Sequence, residues 1–247
     1  APNATYAAYS VQIPAYVCPS DLLPPTARSQ GCASYRACIG TTVIQNAQLY
    51  NYAPTNGIFE IMTPNSPGIR HKDILDGTSH TLLIGEMAAG PRTLLSMEVI
   101  GNVISTVNMT SMGAFSSGQY NLVAYKTCLA TAQNGFYVLA GGSTCPIFNG
   151  GKDCYPGNRW ADGRPYHSCF TSVIPPNGPS CTDSDSGTQH SNDSSGIFTL
   201  SSRHPGGVQI AFADGSGRWI NENVDIMVWQ ALGTRSGLEA VDQANMP

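Results

Sequence analysis

The side chains able to do chemistry gather in a few short segments. His204 stands nine residues ahead of Asp214-Gly215. An imidazole near a carboxylate either braces a hairpin or forms the back half of a nucleophile–base–acid array. Alternation through Val208-Gln209-Ile210-Ala211-Phe212, with Asp214-Gly215 as a two-residue turn, places His204 opposite Asp225. A hydrolase would use His204 with Asp214 or Asp225, yet no Gly-x-Ser-x-Gly elbow is present and no serine is marked by its context. A structural pair is the favoured reading. Asp214 beside Gly215 and Ser216 also offers hard oxygens to calcium, and Asp183 and Asp185 of an Asp-x-Asp-x-Gly run extend that candidate set. The run lacks the Glu that closes a calcium loop. Asp76-Gly77 and Asp162-Gly163 repeat the Asp-Gly step; demanding turns are the favoured account of all three steps, a shared cation site the alternative. Tyr155, Trp160 and Tyr166 fall in one loop, where aromatics either stack on sugars or pack under the loop.

Eight cysteines are present: Cys18, Cys32, Cys38, Cys128, Cys145, Cys154, Cys169 and Cys181. An even count favours disulfides and an oxidising compartment. Zinc is the rival, but no Cys-x-x-Cys pair exists. Proximity suggests Cys32–Cys38, Cys145–Cys154 and Cys169–Cys181, closing loops of 5, 8 and 11 residues, although eight cysteines allow ~105 connectivities.

The elements that must hold these groups read as strands and turns. Only 11% of the 247 residues are charged, roughly half the usual share, which argues against exposed helices. Net charge is −4 with no basic run, a poor match for a phosphate backbone, so nucleic acid is not an expected partner. No apolar stretch approaches the ~20 residues that span a bilayer. Ala7 to Val17 reads as a strand, Asn56 to Ile61 as a turn feeding a strand, and Thr81 to Glu86 as a buried strand. Leu94 to Ile104 is ambiguous between strand and helix. Residues 141–195 are loop-rich and hold four cysteines. Val208 to Ile220 is a hairpin; then Asn223 caps a short helix carrying Val224, Met227, Val228, Ala231 and Leu232, which Gly233 ends. These readings give one domain over 1–247, α+β and β-dominated, with a loop-rich insertion at about 141–195.

Several motifs occur in order: Cys18-Pro-Ser-Asp21, Asp76-Gly-Thr-Ser-His-Thr81 followed by Gly85-Glu86, Arg159-Trp-Ala-Asp-Gly-Arg164, Pro175-Pro-Asn-Gly-Pro-Ser-Cys181, His204 with nine residues before Asp214-Gly215, and Ala231-Leu-Gly-Thr-Arg235. Together they resemble a prepilin-like, pseudopilin-related family abundant in planctomycetes. His80 departs from that family's usual Asn. The resemblance implies a pilin-like antiparallel sheet, long disulfide-pinned loops and a short C-terminal helix. It further implies a form processed or truncated ahead of Ala1, and calcium in acidic loops near the C-terminal sheet. The expected function is a non-catalytic extracellular or cell-surface structural protein, a subunit or module of a filament, pseudopilus or envelope layer, partnered by its own copies or other envelope proteins. The alternatives are a surface module binding a glycan or solute and, less favoured, a secreted hydrolase.

Overall fold

A computed structural model describes residues 7–21, 31–42, 55–60, 67–89, 98–107, 122–138, 157, 160–163, 165–183 and 196–238. The C-terminal hairpin organises the main sheet. Strands β1 (Tyr35–Cys38), β2 (Leu82–Glu86), β3 (Ile104–Val107), β4 (Ala132–Gln133), β5 (Phe136–Tyr137), β6 (Cys169–Phe170), β7 (Cys181–Asp183), β8 (Gly196–Ile197), β9 (Gly207–Phe212) and β10 (Gly217–Asn221) are joined by helices α1 (Ala7–Ser10), α2 (Leu122–Leu129), α3 (Pro165–Ser168) and α4 (Ile226–Gly233). Five strands form a sheet in the order β10-β9-β2-β1-β6, with β3-β7-β8 and β4-β5 as smaller sheets. The ladders β10–β9, β9–β2 and β2–β1 are antiparallel; β1–β6 and β3–β7 are parallel. Among the described residues the fold is α+β with more strand than helix, as the composition predicts.

Alternation decides the two faces of the main sheet. Leu82, Val208, Ile210, Phe212 and Ile220 point inward, where Val228, Trp229 and Leu232 of α4 cover them. Trp229 is fully buried, stacks on Phe170 at 6.5 Å, and donates its indole N–H to the Ile174 carbonyl at 2.8 Å. That bond matters because a buried indole N–H needs a partner. The outer face carries Trp219, Ile84 and Tyr35, each partly open to solvent. A second cluster joins Ala124 and Cys128 of α2 to Val173, Ile174, Cys181 and Ile197. Residues 165–183, within the stretch at 141–195 read as loop-rich, thus supply core.

Turn chemistry holds at two Asp-Gly steps. Gly77 and Gly215 sit at φ +92° and +84°, a region that costs a side-chain-bearing residue free energy. Asp214 Oδ1 accepts the Ser216 N–H at 2.9 Å and its hydroxyl at 2.7 Å, closing the hairpin turn.

Other local expectations are corrected. Ala7 to Val17 is not a strand: Ala7–Ser10 is helical and Pro14–Tyr16 is a 3-10 turn with Pro14 at its start, a position where its missing N–H costs nothing. Asn56 to Glu60 forms no strand. The Asn56 side chain instead holds the Thr41 N–H and hydroxyl, and the Arg235 guanidinium donates to the Thr55 and Gly57 carbonyls. The cap of α4 is Asp225, not Asn223; its carboxylate accepts the Met227 and Val228 N–H groups. Gly233 is the last helical residue, with Thr234 at the C-cap.

The cysteine pairing differs as well. Cys128 is bridged to Cys181, 53 positions away, tying α2 to β7. Cys169–Cys181 and Cys32–Cys38 are therefore not pairs; Cys38 and Cys169 are buried thiols. Proximity in sequence misled because β1 and β6 carry Cys38 and Cys169 on a different sheet from Cys181. Cys145 and Cys154 lie outside the described residues.

Candidate functional site

Three of the sequence motifs converge where β2 ends and β9 begins. Cys18 follows the 3-10 turn at Pro14–Tyr16, Glu86 closes β2, and His204 lies in the loop that enters β9. The Cys18 sulfur is 3.5 Å from His204 Nε2, although the two residues are 186 positions apart. His204 Nε2 is 3.6 Å from Glu86 Oε1. The three ligand-type atoms lie within 4.8 Å of one another, the one such trio among the described residues. Cys18 and Glu86 are buried, whereas the His204 side chain is 38% exposed and forms the solvent side of the cluster.

Neighbouring bonds fix each member. Asp21, the last residue of the Cys-Pro-Ser-Asp motif, accepts the Ser34 hydroxyl at 2.6 Å and the Ala89 N–H at 2.7 Å, so one carboxylate pins the Cys18 segment to the strands on either side. The Ser34 N–H also donates to the Tyr16 carbonyl at 2.7 Å. Glu86 pairs with Tyr35 across the β2–β1 ladder and its Oε2 accepts the Gln209 N–H at 3.3 Å. The His204 N–H donates to the Ser202 hydroxyl at 3.0 Å, and its ring meets Trp219 edge-on at 6.4 Å. Arg203 is drawn to Asp21 at 3.7 Å and to Glu98 at 3.8 Å. Burial, and next the hydrogen bond to Glu86, push the Cys18 thiol above its ordinary pKa.

Arg203 and His204 also edge an open cleft of about 730 Å³ that Tyr125, Ile174, Asn177 and Glu222 help to line. Asn177 donates to Glu222 at 2.7 Å and accepts the Ser202 N–H at 2.9 Å, so the cleft floor is tied to the His204 loop.

His204 is thus paired with Glu86 and Cys18, not with Asp225, which caps α4. The extent of the hairpin explains the difference: its ladder, one position off an ideal two-residue turn, ends at Gly207 opposite Asn221, short of both His204 and Asp225. Asp214 sits at the far end of β9, exposed, with one oxygen engaged by Ser216. Asp76 receives the Thr234 hydroxyl and the Gly237 and Leu238 N–H groups at 2.8–2.9 Å, and so fastens the chain beyond α4. Asp162 is buried with His167 at 3.8 Å, and Gly163 is not in the left-handed region that Gly77 and Gly215 occupy. Asp185 and the side chain of Asp183 lie outside the described residues, as does Tyr155. Trp160 packs edge-on against Tyr16 and bonds the Val11 carbonyl, while Tyr166 is buried against Phe198. Neither aromatic lines the cleft.

The sequence alone does not bring Cys18, Glu86 and His204 together, although each stands in a separate motif. Recurrence of a Cys, a Glu and a His at motif ends was the available signal; only the β2–β9 pairing joins them.

No curated protein and no solved structure matches the chain. The family whose model does match is described as "Protein of unknown function (DUF1559)", under the label SBP_bac_10, and the match runs over residues 1–227. Spanning nine-tenths of the 247 residues, that match shows that this chain belongs to the DUF1559 family.

Proposed function

We propose that this protein is a non-catalytic extracellular structural module, a pilin-like subunit that assembles with its own copies or with other envelope proteins. One observation carries the reading: the main sheet ends on β10 and shows exposed apolar side chains on its outer face. Strand β10 ends the sheet order with no further strand beside it among the described residues. An uncovered edge presents unpaired backbone groups that recruit another chain. Trp219 of β10, Ile84 of β2 and Tyr35 of β1 are 38%, 38% and 37% exposed on the face beside it. Such aromatic and aliphatic groups recur in interface cores. The Cys128–Cys181 bridge agrees with an oxidising location, and the sparse charge leaves few ions to desolvate on contact. Analytical ultracentrifugation across a concentration series tests the proposal. Assembly that Trp219→Glu abolishes while the circular dichroism stays unchanged is the expected result. A monomer at every concentration overturns it. Calcium at Asp183, Asp185 and Asp214 belongs to this reading as an aid to assembly; sedimentation unaltered by EGTA and no calcium on elemental analysis dismiss it.

A second reading, a binding module, is favoured by the cleft of about 730 Å³ beside His204, a size suited to a small solute or sugar. A thermal-shift screen of glycans and solutes, with Asn177→Ala as control, separates the two.

A further inference from the structure

We propose that Cys18, Glu86 and His204 bind one divalent transition-metal ion of zinc type, through a thiolate, a carboxylate and an imidazole nitrogen, leaving a coordination position on the exposed side of the histidine. Zinc–sulfur bonds of about 2.3 Å and zinc–nitrogen bonds of about 2.0–2.1 Å at a tetrahedral angle put sulfur and nitrogen about 3.6 Å apart, and nitrogen and oxygen about 3.4 Å apart. The observed separations are 3.5 Å for Cys18 to His204 and 3.6 Å for His204 to Glu86.

A proton relay does not account for the same geometry. In a Cys–His–acid array the thiol and the carboxylate address different ring nitrogens. Here both face His204 Nε2. That nitrogen carries one proton at most, so the ring cannot pass a proton between the thiol and Glu86 as a ring engaged at both nitrogens does. The 3.6 Å separation from Glu86 is moreover too long for a hydrogen bond. Three ligand-type atoms within 4.8 Å of one another suit a cation between them. The ligand set also selects the ion: a thiolate with an imidazole favours zinc or cobalt, whereas calcium and magnesium take oxygen ligands.

The surroundings meet two further requirements of a metal site. Glu86 and Cys18 are held by the β2–β1 ladder and the Asp21 bonds, so the ligands are placed without the ion. The 38% exposure of the His204 side chain supplies an entry path. Arg203, the nearest permanent cation in sequence, is directed to Asp21 and Glu98 and leaves Glu86 to the cluster.

The test is a cobalt and zinc titration of the reduced protein after chelation, read by calorimetry and by absorption. One ion per chain with a thiolate-to-cobalt charge-transfer band is the expected result. Cys18→Ser should remove the band, and His204→Ala should weaken binding about 100-fold or more. His204→Ala alters a partly exposed residue, so its circular dichroism should match the parent, which keeps the test valid where Glu86→Gln fails to fold. Asp73→Asn, which touches only the Arg70 ion pair, should leave affinity unchanged. Absence of stoichiometric binding, or a charge-transfer band that survives in Cys18→Ser, overturns the proposal. Because sedimentation reports on the sheet face and edge, loss of either result leaves the other standing.

Discussion

Breaking the bridge between Cys128 and Cys181 is expected to cost about 4 kcal/mol. The two half-cystines are 53 positions apart, and the loop-closure entropy that such a cross-link removes from the unfolded chain corresponds to about 4 kcal/mol at 25 °C. Both residues are fully buried among Ala124, Val173, Ile174 and Ile197, so replacement by alanine also leaves a small void that adds to the loss. For a chain of this length each kcal/mol moves the melting temperature by about 2–4 °C. The double variant Cys128→Ala, Cys181→Ala should therefore melt about 8–16 °C below the parent, followed by near-ultraviolet circular dichroism. Peptide mapping of the native protein under non-reducing conditions should recover the same pair. A Cys169–Cys181 peptide, or a melting temperature within about 2 °C of the parent, would refute the pairing and the reasoning built on it.

Four other outcomes follow from the packing. Trp229→Ala should lose about 3–5 kcal/mol of stability in urea, since it empties the contact between α4 and the sheet; a loss under 1 kcal/mol would place α4 elsewhere. Asp225→Ala should cost about 1 kcal/mol and Asp225→Asn less, because asparagine also accepts at an N-cap; equal losses would deny the cap. Burial holds the Cys38 and Cys169 thiols up at about 12 and about 11. Native protein at pH 8 should therefore resist alkylation at both, and rapid labelling of either would show that it is not enclosed. Groups raised in this way contribute stability that is complete below the unfolded value of 9.0 and lost as pH climbs through the folded ones. Arg36, lowered to about 10 by burial, acts in the opposite direction only above that value. The urea midpoint should fall from about pH 9 upward and fall less in Cys38→Ala; a flat midpoint contradicts the burial.

The hairpin was legible because β9 and β10 satisfy two local rules at once, alternation of Val208, Ile210 and Phe212 and an Asp-Gly turn with positive φ at Gly215. Strand β2 was legible for a related reason, an apolar run bounded by turn residues. The first segment was misread: alternation from Val11 to Val17 imitates a strand, yet Pro14 begins a 3-10 turn that presents Cys18 to Glu86. Local pattern carries no information about that meeting. The same limit applies to Cys128–Cys181, set by how α2 lies against β7, and to His204, which lies beyond the β9–β10 ladder and meets Cys18 and Glu86 from other segments. The trio therefore rests on contacts between segments, whereas the Asp214 turn rests on neighbours two residues apart.

Assembly is the central claim, and electron microscopy of native, unconcentrated material tests it most directly. The account predicts ordered filaments or sheets that Trp219→Glu disperses into single particles. Uniform single particles from the parent protein, unchanged by that substitution, would contradict it.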